Sequence, residues 1–237
     1  MMETTAIPYP LSRLGILVGL KAEAQLIRQI FPHAIIALSG ATKEGARRES
    51  IRLATGGADC LLSFGLAAGL DPTLLTGNII IPDKVVTLDG SSWACHLTLR
   101  HILGDNSSEV CSGSLLHSDE IVLEAQCKRE LFSASHCQAL DMESGFLAQA
   151  AQDVGLPFAV LRVICDPATR SLPPVVRTVL SPEGGLQIGA LITSLFHKPS
   201  QIKGLIQLGY DAFLARRSML AFLRKQENRA VFRQIAR

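Results

Sequence analysis

Apolar residues recur along this chain in two rhythms. Runs such as Leu14-Gly15-Ile16-Leu17-Val18-Gly19-Leu20 and Phe158-Ala159-Val160-Leu161-Arg162-Val163-Ile164-Cys165 are short and nearly continuous, the pattern of strands buried on both faces. Between such runs the apolar positions fall three and four residues apart, which is helical spacing. The pattern predicts a strand over 14–20, a helix over 23–31 stopped by Pro32, and a helix over 42–55 closed by Gly56-Gly57. A strand over 60–64 then runs into the glycine-rich segment Gly65-Leu66-Ala67-Ala68-Gly69-Leu70. Strands over 78–82, 84–88 and 110–116, a helix over 124–133 and a strand over 138–142 follow. Residues 143–154 form a helix with Phe146, Leu147, Ala150, Ala151 and Val154 on one face, ended by Gly155 and Pro157, and 158–165 is a second buried strand. Strands alternating with helices predict an α/β fold in which helices cover both faces of a central sheet and ligands collect beyond the strands' C-terminal ends.

The last part of the chain changes character. Residues 166–185 are proline-rich and read as a loop, 186–196 resume a helix, and from 198 onward nine Lys/Arg face only Asp211 and Glu227, a net +7 in a chain whose total is +2. We therefore expect a main domain over 1–197 and a basic amphipathic helical extension over 198–237. In that extension Leu205, Ile206, Leu208, Phe213, Leu214, Leu220, Phe222 and Leu223 alternate with Arg216, Arg217, Arg224, Lys225, Arg229 and Arg233. Such a stretch either covers the core or another subunit, or lies on an anionic bilayer. The small net charge argues against nucleic acid as a partner.

At 237 residues and 48% hydrophobic composition the chain can bury a sizeable core, but its longest apolar runs fall far short of a membrane span, which takes about 20 residues. Residues 1–12 carry an acid, two prolines and no basic cluster, so a secretory signal is not expected and a cytoplasmic protein is, at most peripheral to the inner face of the membrane. Six cysteines at 60, 95, 111, 127, 137 and 165 form no Cys-x-x-Cys pair, so reduced thiols and no metal site are expected. His136-Cys137 is no exception, since adjacent side chains at a strand entry diverge.

Two acids stand at predicted strand ends. Glu143 follows the strand over 138–142, and Asp166 closes the strand over 158–165, 23 residues later. In one cleft such a pair can divide the work, one carboxylate gripping hydroxyl groups and the other giving a proton to a leaving group. Plainer readings remain open: Asp166-Pro167 is a common turn opener, and Asp141 could cap a helix with Glu143 in its first turn.

Three motifs carry a family resemblance. Leu17-Val18-Gly19-Leu20-Lys21-Ala22-Glu23, the glycine-rich section 63–86, and 139–168 with its Asp141-Met142-Glu143, Pro157-Phe158 and Arg162 to Asp166-Pro167-Ala168 elements resemble the purine nucleoside phosphorylase and nucleosidase superfamily. The resemblance spans about 14–196 and is strongest to its methylthioadenosine/S-adenosylhomocysteine nucleosidase branch. Gly19 to Ala24, Ser63 to Pro72 and Cys165 to Ala168 look most like the hopanoid-associated members, which release adenine from adenosylhopane to leave a ribosylated hopane.

The resemblance implies a three-layer α/β/α phosphorylase/hydrolase-like fold with a central mixed sheet, an assembly of at least two copies, no cofactor, and phosphate as a co-substrate if the reaction is phosphorolysis. It implies that Asp166 bonds purine N7 and protonates it, that Glu143 accepts hydrogen bonds from the ribose hydroxyls, and that Met142 lies against the sugar. Ile121 replaces the family's base-stacking aromatic, with Val122 offering backbone hydrogen bonds to the base. The family's water-activating glutamate aligns with Ala24, with Glu23 one position early. Ser63 stands where phosphate-using members commonly carry an arginine. Gly19, Ser39, Gly40, Thr42 and Gly65 would line the water or phosphate site. The expected substrate is adenosine-like and lipid-linked, with a soluble nucleosidase and a non-catalytic nucleoside-binding protein as the alternatives.

Overall fold

The glycine-rich segment that the sequence pattern leaves outside regular structure is the second half of the longest strand among the described residues. In the computed structural model, which describes residues 13–174, 202–227 and 232, strand β3 runs over Cys60–Gly69 and organises the sheet. One edge of β3 pairs in parallel with β10 (Phe158–Asp166) along almost its whole length. The other edge is shared. Its first half pairs in parallel with β1 (Leu14–Val18), and its last two residues pair antiparallel with β9 (Ala139–Asp141). β1 and β9 therefore approach each other end to end beside Gly65 to Ala67, and the chain leaves both strands at the same place.

The remaining strands are β2 (Ile35–Leu38) against β1, β4 (Ile79–Ile80) against β10, β5 (Lys84–Val86), β6 (Ser92–Ala94), β7 (Val110–Cys111) and β8 (Ser114–His117). Together they make a mixed sheet of ten strands among the described residues. The short β2, β6 and the helix α3 (Leu97–Leu103) were not predicted, and the segment predicted as one strand over 110–116 is divided by Gly113, whose φ is +114°.

Helices lie on both faces because the strand residues alternate. Ile16, Leu62, Phe64, Leu161 and Val163 point to one layer, built of α1 (Lys21–Arg28), α3 and the C-terminal helix α6 (Ile202–Glu227). Leu17, Leu61, Val160 and Ile164 point to the other, built of α2 (Lys43–Thr55) and α5 (Ser144–Val154). A smaller cluster at the end of the sheet packs Leu131 and Phe132 of α4 (Ala125–Ser135) near Leu116 and Leu140. This is the expected three-layer α/β/α arrangement.

α6 is part of that core. Ala215, Met219, Phe222 and Leu223 pack among the residues of β1, β3 and β10, so Phe222 and Leu223 are not offered to a bilayer. The helix presents Ile206, Tyr210 and Phe213 to solvent instead, together with Arg216, Arg217 and Arg224. The helix predicted over 186–196 lies outside the described residues. No described helix is long and apolar enough to cross a membrane.

Candidate active site

The branch point of the sheet gathers the carboxylates. β1 ends at Val18, and Leu20 is the N-cap of α1, which puts Glu23 at the third helical position, from where a side chain can reach back over the helix start. Oε2 of Glu23 accepts the N–H groups of Gly19 (2.9 Å) and Leu20 (2.8 Å), and Oε1 accepts that of Leu66 (2.9 Å) from β3. Ala24, by contrast, turns into the core. Two glycines make the room. A Cβ on Gly65 would lie 2.6 Å from Oε1 of Glu23, and one on Gly19 would lie 2.9 Å from Oε1 of Glu143 and 3.4 Å from Oε2 of Glu23.

Glu143 is the N-cap residue of α5, but its side chain does not cap. Asp141 does so: its carboxylate accepts the Ser144 N–H at 3.2 Å and the Ser144 hydroxyl. The plain capping role open to this pair thus falls to Asp141 and leaves the Glu143 carboxylate facing Gly19.

Beneath these acids lies Arg162, in mid-strand on β10 and 1% exposed. One terminal nitrogen of its guanidinium is 2.6 Å from Asp141 Oδ2, 3.3 Å from Glu143 Oε2 and 2.6 Å from the Ser63 hydroxyl. The Ser63 hydroxyl is thereby engaged inside the protein, with Arg162 and with the Ser144 hydroxyl at 3.0 Å. Three buried carboxylates share this one guanidinium, and their proton affinities diverge. Burial pushes Glu23 up, opposed by Arg162 and by its three N–H donors. Burial also raises Glu143, to about 7, reinforced by Asp141 and Glu23 against the pull of Arg162. Asp141 feels the same burial, yet Arg162, His117 and Ser144 hold it below its ordinary value.

Asp166 lies four residues further along β10, after a register shift against β3, about 13 Å away at the usual rise of a strand. It is 3% exposed, and Oδ2 is 2.6 Å from Nζ of Lys128, a lysine with no exposed side-chain surface. Oδ1 is buried with no hydrogen-bond partner among the described residues. Burial raises the proton affinity of this carboxyl, and the Lys128 ammonium opposes the rise.

The other predicted residues are placed as follows. Ile121 and Val122, both half-buried, lie in the segment before α4, whose Leu123 carbonyl accepts the Leu172 N–H at 2.8 Å, so they sit on the Asp166 side. Met142 is half-buried beside Glu143. The hydroxyls of Ser39 and Thr42 act inside their own turn, Ser39 accepting the Ala41 N–H and Thr42 accepting that of Gly45 at the start of α2, with Gly40 between them at φ +72°. Among the described residues no His/Cys/Asp/Glu group could hold a metal ion. Sequence reasoning assigned no role to Arg162 or Lys128. The signals were there: Arg162 is the lone charge inside an apolar strand, and Lys128 shares a helix face with Leu131 and Phe132.

The family model described as the phosphorylase superfamily matches residues 31–176. The chain belongs to this superfamily. Solved structures agree in fold across nearly the whole chain. A 5'-methylthioadenosine/S-adenosyl homocysteine nucleosidase of Helicobacter pylori superposes with a TM-score of 0.69 at 16% identity, covering 91% of this chain and 97% of that one. The futalosine hydrolase of the same organism gives 0.69 at 15% identity with the same coverage. The nucleosidase of Neisseria meningitidis gives 0.67 at 16%, covering 92% and 98%. A comparison with curated proteins finds no sequence match. At these identities the superfamily likeness speaks for the fold, and the chemistry has to be argued from the site.

Proposed function

We propose that this protein hydrolyses the N-glycosidic bond of an adenosine-like compound, with water as the nucleophile and adenine as the leaving group. The observation that carries water over phosphate is the seat of Glu23. Backbone N–H groups at a strand-to-helix turn are a natural cradle for an oxyanion, and here those of Gly19 and Leu20, together with that of Leu66 on β3, are already satisfied by a carboxylate. Asp141 and Glu143 stand nearby against a single Arg162. A phosphate dianion would meet competing negative charge at each step, whereas a water molecule would meet a base.

The chemistry passes through an oxocarbenium-like sugar, whose formation is helped by protonating the departing base and by a nearby negative charge. Glu23, its proton affinity raised by burial, takes a proton from the attacking water. Glu143, which lies beside Gly19 as Glu23 does, accepts the ribose hydroxyls with Met142 alongside. Asp166 meets purine N7 with Oδ1, the oxygen left free by Lys128, while Ile121 packs against the base and Val122 offers it backbone hydrogen bonds.

The substrate we favour is adenosylhopane, converted to ribosylhopane in hopanoid biosynthesis, on the motifs around Gly19, Ser63 and Cys165. A lipid-linked substrate has to be met at a surface, and the outer face of α6 carries exposed apolar and basic side chains suited to one. The test is adenine release measured on adenosylhopane, methylthioadenosine and S-adenosylhomocysteine in H₂¹⁸O, with and without phosphate. The expected result is a free sugar labelled at its anomeric hydroxyl at a rate independent of phosphate. A ribosyl 1-phosphate product would overturn the choice of water. Turnover of the soluble nucleosides alone would make the protein a soluble nucleosidase, and binding without turnover would leave a nucleoside-binding protein.

A further inference from the structure

Lys128 is a buried cation to which the proposed mechanism gives no part. It is the one buried residue of α4, on a helix whose other charged side chains, Arg129 and Glu130, are exposed. All three ammonium protons have acceptors: Asp166 Oδ2 at 2.6 Å, the Arg170 carbonyl at 2.9 Å and the Pro167 carbonyl at 3.3 Å. A buried ion pair seldom improves on well-packed apolar groups as a source of stability, and an apolar residue here would continue the Leu131 and Phe132 face. The three bonds share a different property, since each fixes a part of the turn that begins with Asp166.

That turn is also closed against the same helix start from its other end. The Ala125 N–H donates to the Ser171 hydroxyl at 3.0 Å and the Leu172 N–H to the Leu123 carbonyl at 2.8 Å. Residues 166–172 are therefore seated on 123–128 at both ends, with Lys128 under the acid.

We propose that Lys128 is a positioning residue for the leaving-group acid: it holds Asp166 by one oxygen, so that the other faces the departing base, and it fixes the turn on which that acid is carried. This rests on the nucleosidase reading and assigns Lys128 no contact with substrate. The charged and titratable groups facing Asp166 are Lys128 from α4, Arg170 from the turn itself and the Cys165 thiol of β10, while Arg170 is in turn paired with Asp211 of α6. Lys128 is the one of these bonded to the carboxylate. Removing it takes away the main opposition to the burial of Asp166, so the carboxyl holds its proton to higher pH.

The experiment compares wild type, Lys128→Met and Lys128→Arg on a nucleoside that the wild type cleaves and on a riboside of the same 5' group with p-nitrophenolate as the leaving group, which departs without protonation. For adenine release Lys128→Met should lose about 100-fold in kcat with KM nearly unchanged, the scale expected when a reacting group is misplaced by about an ångström. The alkaline limb of its pH profile should move up by about one pH unit, and p-nitrophenolate release should stay within about threefold of wild type. Lys128→Arg, which keeps the charge, should keep the limb where the wild type has it. Equal losses on the two leaving groups, or an unmoved limb in folded Lys128→Met, would show a merely structural lysine and overturn the proposal. If Lys128→Met does not fold, Lys128→Gln takes its place under the same criteria. A wild type that releases no adenine from any nucleoside sinks the nucleosidase reading and this one together, whereas an active wild type with the uniform loss sinks only the role of Lys128.

Discussion

Removing the charge from Glu143 should make the protein a poorer catalyst and a firmer fold. Its carboxyl titrates at about 7 in the folded chain, raised first by burial, against about 4.3 when exposed. Between those values the folded state binds more protons than the unfolded one, so this residue lowers stability as pH rises from about 4.3 to 7, and the loss is complete above 7. Glu143→Gln should therefore unfold at higher denaturant than wild type at pH 8, by up to a few kcal/mol, because each pH unit between the two midpoints is worth about 1.4 kcal/mol. The difference should be gone at pH 4. Its kcat/KM should fall by the equivalent of about 1.5–3 kcal/mol from weakened bonds to the ribose. A 2',3'-dideoxy substrate should cost the variant little more. Additive losses from the variant and the dideoxy substrate would remove the ribose contact from the account. Asp166→Asn, which keeps shape but loses the proton, should lower turnover on the order of 100-fold or more with the melting profile retained. Gly65→Ala tests the seat of Glu23 sterically. The new methyl would lie 2.6 Å from Oε1 of Glu23 and 2.5 Å from Nη1 of Arg162, at a backbone φ of +156° that residues with a side chain rarely adopt, so activity should fall on the order of 100-fold at a stability cost of about 2–6 kcal/mol. Full activity in Gly65→Ala would mean that Glu23 does not act from that seat.

At the scale of elements, the strands and helices next to the site were legible because they combine a long apolar run with a clear stop. β1, α2, α5 and β10 follow the predicted segments to within two residues at their ends. What could not be read was which edges meet. Pairing is decided by partners far apart in sequence, and nothing local in Gly65-Leu66-Ala67-Ala68-Gly69 announces a strand held by β10 on one side and by β9 on the other. The same holds for the site. Glu143 and Asp166 were visible as acids at strand ends, but the burial that raises their proton affinity, and the guanidinium and ammonium that oppose it, are determined by the fold alone. One link between elements is directly testable. Arg170 in the turn after Asp166 pairs with Asp211, a 3% exposed acid on α6 that also accepts from Gln207 at 3.2 Å. Asp211→Ala leaves these donors without their acceptor and should cost about 1–3 kcal/mol. It should also speed amide hydrogen exchange over 168–172 relative to β3, and unchanged exchange there would show that α6 does not restrain the turn.

At the scale of the whole molecule, the described basic residues of the C-terminal stretch, Arg216, Arg217, Arg224 and Lys225, lie on the outer surface of a helix whose inner surface is core. That division changes what a membrane contact would have to use. Phe222 and Leu223 are unavailable, but Ile206, Tyr210 and Phe213 are 68%, 56% and 60% exposed, and their spacing of four and three residues puts them on one stripe that Arg217 and Arg224 continue. An apolar stripe continued by arginines fits the boundary between acyl chains and anionic headgroups, where each basic side chain contributes about 1 kcal/mol and salt weakens the attraction. Co-sedimentation with anionic vesicles should therefore occur at low salt and fall at high salt. Phe213→Asp together with Arg217→Glu should abolish it without unfolding the protein, because neither side chain lies in the core. Turnover of a vesicle-borne adenosine lipid should drop with binding, while turnover of a soluble adenosine analogue should not. If the intact protein stays in the supernatant at low salt and still cleaves the vesicle-borne substrate, α6 serves only to cover the sheet.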